Sequence, residues 1–486
     1  MSSAITAPTY DPTSTAQSLA TKSTADAQQT LTNKTNAANA TATALTQLGS
    51  AISTFQNSLA TLGSVGKSIL AQSATLSNSA FGSATAKSSA AAGTYSLFVQ
   101  QVATAGKVSY DNVPDATTAS GTLTVNVGSA TPINIDLSAA NTDGGTLSVR
   151  EIAAAINNAS GNTGLVSAGV ITVPTVDATT GAVTGSAMRL VLTSKNTGAA
   201  SNISLSTTSQ DLQSTLGSQP TSTTAGKDAI VLLDAQYKTV TDPSTNTTTT
   251  QLTGTQVTQA SNTFTNIDGV AFTATRAQAT GDDPITLTVG TDSNATAANA
   301  QAFVDAYNKL KSAVDGMLDP GDTTNNKAAG AFANDSGVKA LQTRLVDLLR
   351  PTAGGLSLAS YGITASRDGS LTLDSTRLNK QLALNPGGLD QLMGSASTGS
   401  PSGVMGNLNS YLNLWTDSAN GQIQQRTSAN TKLQSDLSKR QDNLTTQYND
   451  AYNRYLKQFT DLQTLQAQMN NNVSMFDAIF GSDKSS

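Results

Sequence analysis

Any chemistry in this chain has to rest on carboxylates, hydroxyls and amides, because its 486 residues include neither histidine nor cysteine. Ser-His-Asp and Cys-His nucleophile systems are thereby removed. So are the usual ligands of zinc, haem and iron–sulfur centres. Carboxylate acid–base work and oxygen-ligated calcium remain. The segment TDGG at 142–145 is the nearest thing to a calcium-repeat fragment, but it stands alone and reads as a turn. A glycosidase needs two acids converging on one pocket. Asp242, Asp282 and Asp283 are scattered on turn-like sequence, where solvation accounts for them. No catalytic, cofactor-binding or metal-binding residue is expected, and the chain reads as a non-enzyme.

Composition narrows the partners. Charged residues are 12% and aromatics 4% of the chain, and 27 basic against 32 acidic residues leave a formal charge of −5. There is no basic stripe with interleaved aromatics, so no nucleic-acid partner is expected. The lack of thiols rules out disulfides and suits an oxidising exterior. The first 30 residues hold no cationic segment followed by an apolar run, so no cleavable secretory signal is expected. No apolar run is long enough to insert in a membrane. The chain is therefore cytoplasmic, or exported by a machine that needs no cleaved signal.

What the sequence does carry is seams. Leu45, Leu48, Ile52, Phe55, Leu59 and Leu62 follow at spacings of 3, 4, 3, 4 and 3, the footprint of a helix packed along another helix. An ordinary amphipathic core helix gives the same spacing over so few heptads. A second and longer helix is expected from about Gly421 to Val473. Its apolar residues include Leu433, Leu437, Leu444, Ala451, Tyr455, Phe459, Leu462, Leu465 and Met469, and its polar ones Arg440, Arg454 and Lys457. At 1.5 Å per residue it would reach roughly 80 Å, beyond what a small core covers. The expected solution is that the terminal helices pack on each other and on copies of themselves.

The elements between these seams change period twice. Residues 1–44 are rich in Ala and Thr and are expected to form a disordered export segment. From Gly93 the period is two: GTYSLFVQQV, GTLTVNVG, TPINIDL, MRLVLTS, NISLS, DAIVLLDA, GVAFTAT and PITLTVG read as strands between turn residues. One helix interrupts them, with Ser148 as N-cap and Glu151 completing a capping box. Helix returns with Phe303, Tyr307, Leu310, Val314 and Met317 on one face, stopped at Asp319-Pro320-Gly321. Asp335 caps the next, a hairpin turns at Asp368-Gly369, and Met405, Leu408, Leu412 and Trp415 mark another helix. The expected fold class is multidomain α+β: helical coiled-coil legs flanking an inserted head of two mainly antiparallel β-domains. The expected boundaries are a helical leg at 45–92, a first head domain at 93–112 with 205–292, and a second at 113–204. A helical body with a β-hairpin follows at 293–420, then the long helix at 421–475 and a tail at 476–486.

Seven segments, in order, resemble the bacterial flagellar filament-capping, or hook-associated protein 2, family. They are GTYSLFVQQVATAGKV (93–108), REIAAAINNA (150–159), RLVLTSKNTGAASNISL (189–205), ASNTFTNIDGVAFT (260–273), AFVDAYNKL (302–310), LASYGITASRDGSLTLDSTRLNKQL (358–382) and YLKQFTDLQTLQAQM (455–469). The resemblance implies an oligomeric ring at the distal tip of a secreted, extracellular bacterial flagellum, built from copies of the chain. It also implies that the ring retains exported flagellin and promotes its folding and insertion. Further implied partners are the filament end or hook–filament junction proteins and an export chaperone, with adhesion to host mucin as a secondary role. A junction protein or flagellin-like axial protein, and a cell-surface adhesin, are the alternatives.

Overall fold

The computed structural model describes residues 11–480 except 64–66, 117–119, 242, 245 and 398. The chain forms two compact units, Met1–Ile69 with Asn294–Ser486, and Leu70–Ser293.

The first helix, α1 (Pro12–Gly63), corrects the expectation of a featureless N-terminus: residues 12–44 are helical, while 1–10 lie outside the described residues. Local chemistry explains it. Asp11 accepts the backbone N–H groups of Thr13 and Ser14 at 3.3 and 2.9 Å, Pro12 opens the first turn, and no Gly or Pro follows before Gly49. Alanine is the best helix former, and the threonines along the helix return their hydroxyls to the carbonyl one turn back, as Thr41 does to Ala37 at 2.9 Å.

The β unit contains, in chain order, β1 (Gln72–Leu76), β2 (Gly82–Ala86), β3 (Gly93–Gln101), β4 (Ala105–Tyr110), β5 (Thr122–Val127), β6 (Ile133–Asp136), α2 (Leu137–Ala140), α3 (Val149–Asn158), β7 (Val166–Val176) and β8 (Val183–Thr197). Then come β9 (Ile203–Thr207), α4 (Gln210–Gln213), β10 (Ser222–Thr224), β11 (Ala229–Thr241), β12 (Thr248–Gln259), β13 (Thr263–Phe264), β14 (Val270–Ala274) and β15 (Ile285–Thr291). Two lobes result. One packs the antiparallel sheet β1-β15-β3-β11-β12 and the sheet β13-β14-β2 around Leu97, Val99, Val231, Phe272 and Leu287. The other packs β10-β4-β8-β7, β6-β5-β9 and α3 around Tyr110, Leu123, Val125, Ile152, Ile156 and Leu190. Alternation decides which face is inside: in β5, Leu123, Val125 and Val127 are buried while Thr122, Thr124 and Asn126 are only partly so.

The lobe boundaries differ from expectation. Strands β1 and β2 belong to the β unit, so the helical leg ends at Gly63 and does not reach 92. Strand β4 and the segment from Leu205 to Leu216 join the second lobe's core, not the first. The chain crosses between lobes where Thr104 and Lys227 form an antiparallel bridge. A period of two names strands but carries no information about which distant strand each one pairs with.

Helix α3 begins as its sequence requires. Glu151 accepts the backbone N–H groups of Ser148 at 2.9 Å and Thr142 at 3.0 Å, and Ser148 Oγ accepts from the N–H of Glu151. These bonds, the Ser148 N–H first, lower the Glu151 pKa from 4.5 to about 2. A carboxylate whose folded pKa is depressed contributes stability above its unfolded pKa, and that contribution is lost as pH falls through the folded value. Acid titration of the β unit followed by circular dichroism should therefore show stability falling between pH 4.5 and 2. Glu151→Gln should flatten that fall. An unchanged slope would remove Glu151 from the acid response.

The helical unit continues with α5 (Ser293–Leu318) and α6 (Ser336–Asp347), then a hairpin of β16 (Ile363–Ala365) and β17 (Leu371–Leu373). Helices α7 (Ser375–Leu384), α8 (Pro386–Met393), α9 (Gly403–Thr416) and α10 (Gln422–Phe480) complete it. Asp335 caps α6 by accepting the N–H of Val338 at 2.9 Å. The hairpin turns at Gly369, whose φ of +84° favours glycine. At the centre, the Phe55 ring lies 6.3 Å from both Phe303 and Tyr307. The Tyr307 hydroxyl is buried with no hydrogen-bond partner among the described residues, and burial, with Asp315 nearby, pushes its pKa up. Tyr307→Phe removes only that unsatisfied group and should raise stability by about 1 kcal/mol in urea unfolding. A loss of stability would mean that the hydroxyl has a partner in solution.

Candidate functional site

The site to be built is the pairing of the two terminal helices. Gln28 and Gln441 exchange amide hydrogen bonds at 3.1 and 2.9 Å, Gln434 donates to Asn39 at 2.9 Å, and the buried Asn430 donates to the carbonyl of Ala38 at 2.9 Å. Partner numbers fall along α10 as they rise along α1, so the helices run antiparallel. On α1 the inner positions repeat every seven residues, through Leu31, Ala38, Leu45, Ile52 and Leu59. On α10 the buried positions do the same, through Asn430, Leu437, Leu444 and Ala451.

This seam is thin and polar. Its apolar core among the described residues is Leu31, Ala38, Leu437 and Leu444. Amide pairs on its flanks fix register better than they add energy, since each exchanges water for an equivalent partner. Small residues at Ala16, Ala20 and Ala38 are fully or nearly fully buried, where α1 needs no bulk to lose its water.

The residues singled out in the sequence separate into three groups. Leu45, Leu48, Ile52, Phe55, Leu59 and Leu62 are all buried in the helical unit of a single chain, with Phe55 against α5 and the neighbouring Gln56 bonded to Asn409 and Asn413 of α9. Leu437, Leu444 and Ala451 are buried, and Tyr455 and Phe459 are half-buried. Leu433 and Leu462 are exposed. Leu31, Ala38, Asn430, Gln434 and Gln441 were not singled out. The seven-residue step from Leu31 through Ala38 to Leu45 is the signal for those on α1, and that from Asn430 to Leu437 and Leu444 for Asn430, both obscured because alanine and amides register poorly as apolar.

The root of α10 is anchored by charge. Arg426 reaches Asp335 through two hydrogen bonds of 2.6 and 3.1 Å, and its guanidinium lies 5.6 Å from the Trp415 ring centre. The Arg426 side chain holds the Asp335 carboxyl below the usual carboxylate range.

The far end of α10 runs past the described N-terminal end of α1. Gln28 is 16 residues from Pro12 (28 − 12), so α1 reaches only as far as about Lys457 (441 + 16). Beyond that, Leu462, Leu465, Met469, Val473, Phe476 and Ile479 are exposed, Phe476 by 62%. The helix also runs through Phe480, where a tail was expected from 476; residues 481–486 lie outside the described residues.

The candidate chemical groups are placed elsewhere. TDGG forms a turn in which the N–H of Gly145 bonds to Asp143 at 2.8 Å, with Gly144 at a φ of +73°. Asp282 accepts the N–H of Ala279 at 2.8 Å, and Asp242 lies outside the described residues. Among the described residues there is no group of three or more acids able to hold a metal ion, and no helix long and apolar enough to cross a membrane.

Comparison with known proteins fits paired terminal helices with a β unit between them in the chain order. The family model for the flagellar hook-associated protein 2 N-terminus matches residues 9–106, and that for its C-terminus matches residues 246–471. The lateral flagellar hook-associated protein 2 of Vibrio parahaemolyticus is 32% identical over 395 residues, covering 79% of this chain and 81% of that protein. The chain belongs to the flagellar hook-associated protein 2 family. The flagellar hook-associated protein 2 of Escherichia coli K12 is 29% identical over 411 residues, 81% of this chain and 80% of its own length. Among solved structures, the D1-D2-D3 domains of the Escherichia coli flagellar cap protein FliD superpose with a TM-score of 0.57 at 26% identity. That match covers 80% of this chain and 99% of the other.

Proposed function

We propose that the chain caps the distal tip of a bacterial flagellar filament, acting as an oligomer outside the cell. The observation that carries this is the continuity of the likeness: it spans four-fifths of the chain, through the β unit and the helices on either side, to a protein described as a flagellar cap. Capping is mechanical work. It needs a plate that blocks loss of subunits and legs that hold the filament end, and no bond is made or broken.

In this reading the β unit forms the plate, the paired terminal helices form coiled-coil legs, and emerging flagellin is retained and folded beneath the plate. The chain reaches the tip through the flagellar export channel, with a chaperone covering its apolar α10 end before export. The thin amide-rich seam supports a leg that opens and re-forms as subunits are added.

Deleting the gene should leave cells that release flagellin monomer into the medium and make no normal filaments, with both defects repaired by the intact gene. Long filaments and normal swimming in the deletion strain would sink the capping role.

A further inference from the structure

Two β-ribbons in the β unit extend past the sheets that root them. Strand β3 pairs with β11 only from Gln101↔Ile230 to Leu97↔Leu233, whereas β11 and β12 continue together from Gln236↔Thr253 to Thr241↔Thr248. Likewise β4 pairs with β8 no further than Tyr110↔Leu190, whereas β7 and β8 continue from Ile171↔Arg189 to Val176↔Val183. Each extension is two strands wide. A two-stranded ribbon is at best marginal in water, and a third strand is what stabilises it.

The open edges lack the features that keep strands apart. Strand β12, TTTQLTGTQVTQ, has no charged residue and no proline over its 12 residues, and the bulge beside it belongs to β11, between Leu233 and Gln236. The β7 edge, by contrast, is guarded. Asn157 bonds to both backbone groups of Ala168, Asn162 bonds to both of Val166, and Pro174 removes a donor further out. On the other side of that ribbon, residues 183–186 of β8 are exposed, uncharged and free of proline, in line with the place β4 occupies nearer the root.

We propose that the open edge of β12 in one copy of the chain pairs with the open edge of β8, at residues 183–187, in the next copy. The occupant is a second copy because the two edges are different surfaces of one chain. A contact between unlike surfaces repeats from copy to copy and can close a ring, whereas β12 against β12 would stop at a dimer. Backbone hydrogen bonds supply the attraction, and exposed Val176, Val183 and Val240 supply apolar contact. The inference rests on the oligomeric reading above.

The chain has no cysteine, so introduced thiols report only on themselves. Single-cysteine variants across 248–253 would be mixed with single-cysteine variants across 183–187 and oxidised at concentrations where light scattering detects oligomers. Disulfide-linked dimers are expected in the mixtures and absent from each variant alone. Thr250→Lys with Thr255→Lys, both on exposed positions, should weaken association about tenfold without changing circular dichroism. Cross-linking of the β12 variants alone, oligomers without cross-links, or a chain that stays monomeric at every concentration would each overturn the proposal. An assembling chain without these cross-links leaves the capping role standing. A cross-linking chain that fails to restore filaments sinks the capping role and leaves the interface standing.

Discussion

Phe55→Ala should destabilise the helical unit by about 3–5 kcal/mol, the range for deleting a fully buried aromatic ring. Phe55 is 1% exposed and fills the centre of the unit, against Phe303 and Tyr307, each 6.3 Å away between ring centres. Those neighbours sit on α5, a 26-residue helix that also buries Val304, Leu310 and Val314, so the wall cannot collapse into the void without unseating a whole element. Trp415 is the chain's one tryptophan and is buried in the same unit, so its fluorescence reports the unfolding of this unit alone. Urea titration should show an earlier Trp415 transition in the variant. Hydrogen exchange in β3, β5 and β8 should be unaffected, because their cores contain no residue of the helical unit. A shift below about 1 kcal/mol would mean that the helices repack around the gap and that the Phe55 cluster is not what holds them.

That cluster shows where sequence reading works and where it stops. The spacing of Leu45 through Leu62 identifies a buried helical face, and all six residues are buried. Spacing says nothing about what covers the face. Within one chain it is covered largely by α5, α9 and the start of α10: Phe55 meets Phe303, Gln56 bonds to Asn413, and Ile423 sits where a Cβ added at Gly49 would touch it. Residues 12–44 were illegible for a different reason. A helix that meets its partner through Ala16, Ala20 and Ala38 has almost no apolar contrast between its faces, so only its propensity, the Asp11 cap and the seven-residue step from Leu31 through Ala38 to Leu45 mark it. Strands β5 and β14 were plain from alternation, but β7 was missed because Gly169 and Pro174 look like turn residues while in fact lying on an edge strand. Ser148 and Glu151 were readable because a capping box is a local device with a fixed spacing.

The second large effect separates stability from function at the far end of α10. Truncation after Phe459 should leave the unfolding of the isolated subunit within about 0.5 kcal/mol of the intact chain, as expected for removing turns whose described side chains are almost all exposed. Among the described residues the last buried one of α10 is Ala451, and α1 reaches to about Lys457 (441 + 16), so the deleted turns add no buried side chain to the described core. The same truncation should abolish filament growth, with flagellin accumulating in the medium as is expected of the gene deletion. The reason is the apolar stripe of Leu462, Leu465, Met469, Val473, Phe476 and Ile479, which in the isolated subunit faces water at about 25 cal/mol for each Å² left uncovered. On the capping reading, such an exposed stripe is the surface that a partner at the filament tip covers. Leu437→Ser with Leu444→Ser makes the contrast. Both side chains are buried against α1, so that variant should lose stability as well as capping, at about 1.5–3 kcal/mol for each side chain. Growth of normal filaments by the truncated chain would show that the stripe is not a leg contact. A large loss of subunit stability on truncation would show that the end of α10 folds back on its own chain.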